Sequence, residues 1–101
     1  VLTVHALEQL GNRWQPFVAF LRLHRPLICI HIEPIEELYD ETQLWDFLAA
    51  AYHRKRGYLS GFLTGLRAMA EHGQAEILEA RRTYVGNLHH EAYSVVVWRT
   101  Q

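Results

Sequence analysis

The chain has 101 residues, of which 50% are hydrophobic and 21% charged, and its formal net charge is −1. This length is enough for one domain with one core, so we expect residues 1–101 to form a single domain. The near-zero charge argues against a general nucleic-acid or membrane-surface binder, because such proteins need a basic excess. No signal peptide or membrane-spanning run is recognisable, and Cys29 is the single cysteine, so a reduced, cytoplasmic setting is expected.

The first third of the sequence predicts a strand, a helix and a second strand. Residues 1–6 are strand-like. After a turn at Gly11 and Asn12, apolar positions recur at helical spacing up to Pro26: Phe17, Phe20, Leu21 and His24. Residues 27–34, LICIHIEP, are apolar and β-branched, which is typical of an interior strand covered on both faces. A helix that joins two strands in this way makes them parallel.

Two helices and two strands are predicted after residue 34. Asp40 and Gln43 resemble a capping box, so we expect a helix to begin there and to bury Leu44, Phe47, Leu48, Ala51 and Tyr52. Gly57 predicts a break, and a helix over residues 58–72 is expected to bury Leu59, Phe62, Leu63, Leu66 and Met69. Residues 75–85 and 92–99 predict an antiparallel hairpin, in which the apolar run near the chain end makes the last strand interior.

Histidine and carboxylate side chains stand at the predicted ends of the first two strands. His5 and Glu8 follow the first strand, whereas His31 and Glu33 end the second. The carboxyl ends of parallel strands share one edge of a sheet, so these four residues are expected to converge, with Tyr39 bordering the same pocket. A histidine beside a carboxylate can act as a general base near neutral pH. The alternatives are a hydrogen-bonded core histidine at His31, a strand-end residue at His5 and a helix cap at Glu8.

No metal site is predicted. His5, His31 and Glu33 are of ligand-forming types, but their spacing is not that of a specific metal motif. The run His89-His90-Glu91 falls in the predicted hairpin turn, where neighbouring side chains on an extended chain point in opposite directions. We therefore expect a solvated loop there.

The order of the elements and two local segments resemble the C-terminal half of the class I S-adenosylmethionine-dependent methyltransferases that act on small molecules or sugars. Residues 3–9, TVHALEQ, look like the end of that family's fourth strand and its His-x-x-Glu-His-type motif, with Gln9 in place of the second His. Residues 93–99, YSVVVWR, are similar to its terminal strand. The resemblance implies an α/β fold: half of a Rossmann-like sheet, four strands in the order 1-2-4-3, the fourth antiparallel, with helices packed on the faces.

The same resemblance implies a function and a set of site residues. The chain would be the substrate-side part of an S-adenosylmethionine-dependent methyltransferase acting on a small molecule. His5, His31 and Glu8 would be catalytic, Glu33 and Tyr39 would bind the substrate, and His5 would also contact the cofactor. None of the six glycines forms a G-x-G loop after a strand, so this chain alone is expected to bind no S-adenosylmethionine and to be inactive.

The resemblance also implies partners besides the small-molecule substrate. They are the missing N-terminal half of the fold or a second copy of the chain, paired through the open edge of the first strand. No nucleic acid and no membrane is expected. A function of another class stays open, namely a non-catalytic α/β module for interaction or oligomerisation, which the absence of a Gly-rich loop favours.

Overall fold

A mixed β-sheet organises the part of the chain that the computed structural model describes, which comprises residues 1–4, 6–82 and 94–101. The strands of this part are β1 (Leu2–Val4), β2 (Cys29–Glu33), β3 (Ala75–Arg82) and β4 (Ser94–Thr100). Its helices are α1 (Gln15–His24), α2 (Leu44–Arg56) and α3 (Phe62–Glu71). Short 3₁₀ turns at Leu7–Leu10 and Glu36–Leu38 follow β1 and β2.

The order of the strands across the sheet is β1-β2-β4-β3. β1 runs parallel to β2, and β4 runs antiparallel to both β2 and β3. In this register His31 lies beside Thr3 on one side and Val96 on the other. The predicted α/β class, the order 1-2-4-3 and the interior positions of β2 and β4 are therefore confirmed. Residues 83–93, which include the predicted hairpin turn with His89, His90 and Glu91, lie outside the described residues.

The ends of the helices follow from local chemistry. α1 has a proline in its first turn and ends at Arg25, whose φ of 46° is left-handed and which precedes Pro26. α2 ends at Gly57, as predicted, with a φ of 66°. α3 begins after Gly61 rather than at residue 58, because residues 58–60 have no regular structure and Gly61 bends the chain with a left-handed φ of 71°. No helix of the described residues combines the length and apolar character needed to cross a bilayer.

Among residues 1–4, 6–82 and 94–101 the core lies on one face of the sheet, so within this part of the chain the expected cover on both faces is wrong. Along β2 the side chains of Cys29, His31 and Glu33 are fully buried, whereas Ile30 and Ile32 on the opposite face are only partly buried. The helices α1 and α3 pack on the first face, where the buried apolar residues are Leu7, Trp14, Val18, Leu21, Cys29, Ile35, Leu59, Phe62, Leu63, Leu66, Ala75, Val96 and Trp98. The two polar side chains of β2 thus point into the core, which reverses the usual alternation of a half-exposed strand.

The second face, called here the open face, carries the side chains that alternate with the buried ones. From the register of the strands they are aliphatic across three strands: Leu2, Val4, Ile30, Ile32, Val95 and Val97. Leu2 and Val4 are at least half exposed. The apolar character of residues 27–34 reflects the interior position of β2, which pairs with a strand on each edge, and not a cover of helices on both faces. The sequence could not separate these two causes, because both favour β-branched side chains.

The predicted buried face of α2 is also wrong. Leu44, Phe47, Leu48 and Tyr52 are about half exposed or more, and the buried residues of this helix are Ala50 and His53. The capping box is absent too, because Oδ1 of Asp40 accepts hydrogen bonds from the backbone N–H and the hydroxyl of Thr42. These bonds form a turn that ends before the helix begins at Leu44.

Candidate functional site

His31 is fully buried in the middle of β2, and both of its ring nitrogens are engaged. The indole Nε1–H of Trp98 donates to Nε2 of His31 at 2.9 Å. An indole nitrogen can only donate, so Nε2 carries the lone pair and the proton of the neutral ring sits on Nδ1. Nδ1–H then donates to Oγ1 of Thr3, 2.7 Å away on the neighbouring strand.

Burial lowers the pKa of His31 to about 4, so the ring is neutral at physiological pH. The ring also meets the edge of Phe62 with their centroids 5.2 Å apart. To act as a general base, His31 would have to release the indole of Trp98 and accept a charge inside the core. Of the two alternatives for this residue, the geometry favours the hydrogen-bonded core histidine.

Glu33 ties the ends of the two parallel strands together. Its side chain is fully buried, and Oε2 accepts a hydrogen bond from the backbone N–H of Ala6 at 3.0 Å. The carboxyl ends of β1 and β2 therefore meet at one edge, as expected. Of the two residues predicted after β1, His5 lies outside the described residues, and Glu8 lies in the 3₁₀ turn Leu7–Leu10.

Tyr39, the remaining predicted site residue, packs between α2 and the end of β3. It is buried, the edge of its ring faces His53 at 6.1 Å, and the guanidinium of Arg82 lies 5.4 Å from its centre. Arg82 in turn forms an ion pair with Asp46 of α2. These contacts explain the position of Tyr39 as part of the packing of α2.

A cleft of about 430 Å³ opens at the carboxyl edge of β1 and β2. Its walls come from residues 9–13, which follow β1, from Glu36, which follows β2, and from the C-terminal end of α2 with the turn after it. The lining residues of that last wall are His53, Arg54, Gly57, Tyr58 and Ser60. Open α/β sheets place ligands outside the carboxyl ends of their strands, and the volume is in the range of small-molecule sites. We take this cleft as the candidate functional site.

One wall of the cleft is fixed by backbone contacts between two loops. The N–H of Ser60 donates to the carbonyl of Gly11 at 2.9 Å, and the carbonyl of Ser60 accepts from Nε1–H of Trp14 at 2.8 Å. Gly11 has a φ of 58°, and a Cβ at this position would lie 2.8 Å from the carbonyl oxygen of Gly57. Both the left-handed conformation and the close approach require glycine there.

Glu36 and Glu37 join the second 3₁₀ turn to the start of α3. Oε1 of Glu36 accepts from the N–H of Gly61 at 3.3 Å, and Oε2 of Glu37 accepts from the N–H of Thr64 at 2.7 Å. Carboxylates are stabilised at a helix N-terminus by its free amides and its dipole. This interaction fixes the carboxylate of Glu36 at the border of the cleft.

His53 is the buried polar side chain of the cleft. Its ring is fully buried and contacts the edges of Tyr39 and Tyr58. Its Nε2 lies 2.5 Å from the carbonyl oxygen of Leu59, which can only accept, so Nε2 carries the proton. In the neutral form of this ring Nδ1 holds a lone pair, and among the described residues Nδ1 has no hydrogen-bond partner.

His53 and Glu36 line the cleft but are not predicted as site residues from the sequence. The basic run at residues 53–56 predicted a solvated helix end, yet His53 lies one turn before Gly57, on the side of α2 that carries Ala50. A stripe of one alanine and one histidine is too weak a signal beside the four large apolar residues of the opposite side. Within the described residues, no group of three or more His, Cys, Asp or Glu side chains is close enough to hold a metal ion.

Comparison with known proteins gives no match for this chain among protein-family models, curated proteins or solved structures.

Proposed function

We propose that this chain is the acceptor-binding part of an S-adenosylmethionine-dependent methyltransferase that acts on a small molecule. The observation that carries the proposal is the antiparallel strand β4, which lies between β2 and β3 in the order β1-β2-β4-β3. This insertion of the last strand is the arrangement that the resemblance implies. If β3 lay beside β2 and β4 lay at the edge of the sheet, the topology would contradict the resemblance to this family.

The position of the cleft supports the same proposal. Residues 9–13 and Glu36 follow the two parallel strands, so the cleft opens where an α/β sheet offers its strand ends to a ligand. Its volume of about 430 Å³ suits a small acceptor. Methyl transfer requires chiefly that the acceptor atom be aligned with the activated methyl group and, for a hydroxyl, that its proton be removed.

We keep for the site residues the roles that the resemblance implies. His5 and His31 remain the candidate bases, with Glu8 and Glu33 orienting a base or the acceptor. Between the two bases we favour His5, because the hydrogen bonds of His31 to Thr3 and Trp98 occupy its ring. Tyr39 would act on the acceptor only through His53, whose ring it contacts.

The cofactor does not fit the residues of this chain, because the chain has no G-x-G turn after a strand to approach the methionine and ribose. When bound, S-adenosylmethionine supplies a methyl group activated for nucleophilic attack. We therefore place no cofactor contact in the cleft, and we expect calorimetric titration of residues 1–101 to show no binding of S-adenosylmethionine at micromolar concentrations. Micromolar affinity would contradict the acceptor-side assignment.

The decisive experiment measures methyl transfer by the complete product of the gene, whatever its length. The protein is incubated with tritiated S-adenosylmethionine and a small-molecule extract, and label in the small-molecule fraction is counted. We expect label with the wild type and with the exposed control Leu23→Ala, and a large loss with His5→Ala. Unchanged rates for both His5→Ala and His31→Ala would remove both bases, and no label in any fraction would overturn the proposed function.

A second candidate, an interaction or oligomerisation module, is favoured by the open face. Leu2 and Val4 expose apolar side chains beside Ile30 and Ile32, and β1 is an edge strand of the described sheet without charge or proline. Such a surface would pair with a second copy. Sedimentation velocity of residues 1–101 would then show a dimer that Val4→Lys converts to a monomer, whereas Leu23→Lys on α1 leaves it intact. A wild-type monomer at high concentration would eliminate this candidate.

A further inference from the structure

We infer that the cleft lined by residues 9–13, Glu36 and the end of α2 binds a small polyhydroxylated carboxylate through Arg13, His53 and Glu36. The inference rests on the proposed function, since it names the chemical class of the acceptor. Binding can be measured without any methyl donor.

The guanidinium of Arg13 can pair with an anionic group of a ligand. Nη2 of Arg54 already pairs with Oε1 of Glu41 at 2.7 Å. Oε1 of Glu36 is held by the amide of Gly61 at the start of α3. Arg13 is exposed, and no carboxylate of the described residues pairs with it. One guanidinium is thus left to pair with an anion, and a carboxylate matches its planar fork with a single charge.

His53 and Glu36 supply hydrogen-bond acceptors that hydroxyl groups of a ligand can satisfy. Nδ1 of His53 holds a buried lone pair with no partner in the described part of the chain, and the carboxylate of Glu36 can accept more than one hydrogen bond. Both atoms accept, so the ligand must donate to them. The amides of Gln9 and Asn12 also line the cleft and can donate as well as accept. A hydroxyl group satisfies all of these partners, because it both donates and accepts.

Access to His53 requires one side chain to move. In this state Nδ1 has almost no accessible surface, and the ring of Tyr58 stands edge-on to His53 with the centroids 5.6 Å apart. Tyr58 is only partly buried, and its hydroxyl accepts a long hydrogen bond of 3.5 Å from Nε of Arg56. We expect rotation of Tyr58, which gives up this bond and an edge contact with Tyr52, to expose Nδ1 of His53 to a ligand. The missing hydrogen bond of Nδ1 costs free energy until a ligand supplies it.

Three six-carbon probes test the assignment by calorimetry on residues 1–101. Gluconate carries the carboxylate and the hydroxyls, hexanoate only the carboxylate, and sorbitol only the hydroxyls. We expect gluconate to bind about tenfold tighter or more than either of the others. Equal affinity for gluconate and hexanoate, equal affinity for gluconate and sorbitol, or no binding of gluconate up to about 10 mM would overturn the inference.

Two variants locate the binding in the cleft. Arg13→Gln should reduce gluconate affinity about tenfold or more and leave sorbitol unchanged, while Arg67→Gln, an exposed arginine of α3 outside the cleft, should have no effect. His53→Leu removes the acceptor at Nδ1 together with the donor to the carbonyl of Leu59, so it should weaken gluconate binding and leave hexanoate binding unchanged. If this variant fails to fold, Arg13→Gln still decides the question. Gluconate affinity that is unchanged in Arg13→Gln would overturn the inference.

The failure of this inference can be told apart from the failure of the proposed function. Binding of gluconate without any methyl transfer by the complete gene product would leave the cleft assigned and would overturn only the methyltransferase proposal. Methyl transfer to a small molecule without gluconate binding would overturn only the ligand class.

Discussion

Trp98 donates its indole N–H to Nε2 of His31 at 2.9 Å, and the opposite nitrogen of that ring reaches Thr3 at 2.7 Å. Side chains from β4, β2 and β1 are thus joined in one row inside the core. Trp98 donates to one ring nitrogen of His31, and Thr3 accepts from the other. These two bonds satisfy a polar ring whose burial without partners would cost free energy.

Replacing Trp98 by Phe should destabilise the protein by about 2 to 3 kcal/mol. The change leaves Nε2 of His31 buried without a donor and removes part of a fully buried side chain. The free energy of unfolding from urea titration measures the loss. Trp45→Phe is the matched control, because Trp45 is 60% exposed, and its effect should stay within about 0.5 kcal/mol. Similar effects of the two substitutions would contradict the role of the indole N–H.

The stability of the protein should fall as the pH is lowered from about 6.5 towards 4. Burial lowers the pKa of His31 to about 4 from its usual value of 6.5, so in this window the unfolded chain binds a proton that the folded chain does not. The contribution of His31 to the free energy of unfolding is fully present above pH 6.5. It decreases by roughly 2 kcal/mol by pH 5, and by roughly 3 kcal/mol once the pH is below the pKa of the folded state. Urea titrations at several pH values measure the slope.

The control for this pH dependence is His31→Gln, whose amide does not titrate. Its free energy of unfolding should lose about 2 kcal/mol less between pH 7 and pH 5 than that of the wild type. Parallel pH profiles for the two proteins would show that His31 does not carry the effect. Titration of the His31 ring by NMR gives the same answer directly, with a midpoint expected near the pKa of about 4.

Gly65→Ala should destabilise the protein, although alanine is the better helix former. A Cβ at this position of α3 would lie 2.1 Å from Cη2 of Trp14, whose ring is also held by the carbonyl of Ser60. We expect a loss of about 2 kcal/mol from overpacking, against a gain of about 1 kcal/mol for the same change at an open helix position. Thr64→Ala, exposed on the same helix, is the control and should be near neutral. A stabilised Gly65→Ala protein would contradict the close packing of Trp14.

Glu33→Ala should loosen the end of β1. The carboxylate of Glu33 accepts from the backbone N–H of Ala6, and the loss of this bond leaves the amide open to exchange. Hydrogen exchange of the Ala6 amide should accelerate about tenfold or more, which corresponds to about 1 to 3 kcal/mol. Glu76→Ala removes an exposed ion pair with Arg99 and should leave Ala6 unaffected. Unchanged protection of Ala6 in Glu33→Ala would contradict the bond.

The elements and their type were predictable wherever a local signal was strong. The apolar run of β2, the helical spacing of Phe17 and Leu21, and the break at Gly57 all act within a few residues, so they are visible in one sequence. The order of the strands came from the succession of elements and the resemblance, and the structure agrees with it. The interior position of β4 follows from the same apolar run over residues 95–98.

Tertiary structure decided which faces are buried and where the cleft lies. His31 and Glu33 point into the core because Trp98 and the amide of Ala6 satisfy them, and these partners come from 67 and 27 residues away. The exposed apolar side of α2 and the burial of His53 depend in the same way on contacts with Leu59 and Tyr39. Local periodicity indicates which apolar side chains share one face of an element. It does not report whether a distant partner will satisfy a polar side chain, and burial of a polar group depends on such a partner.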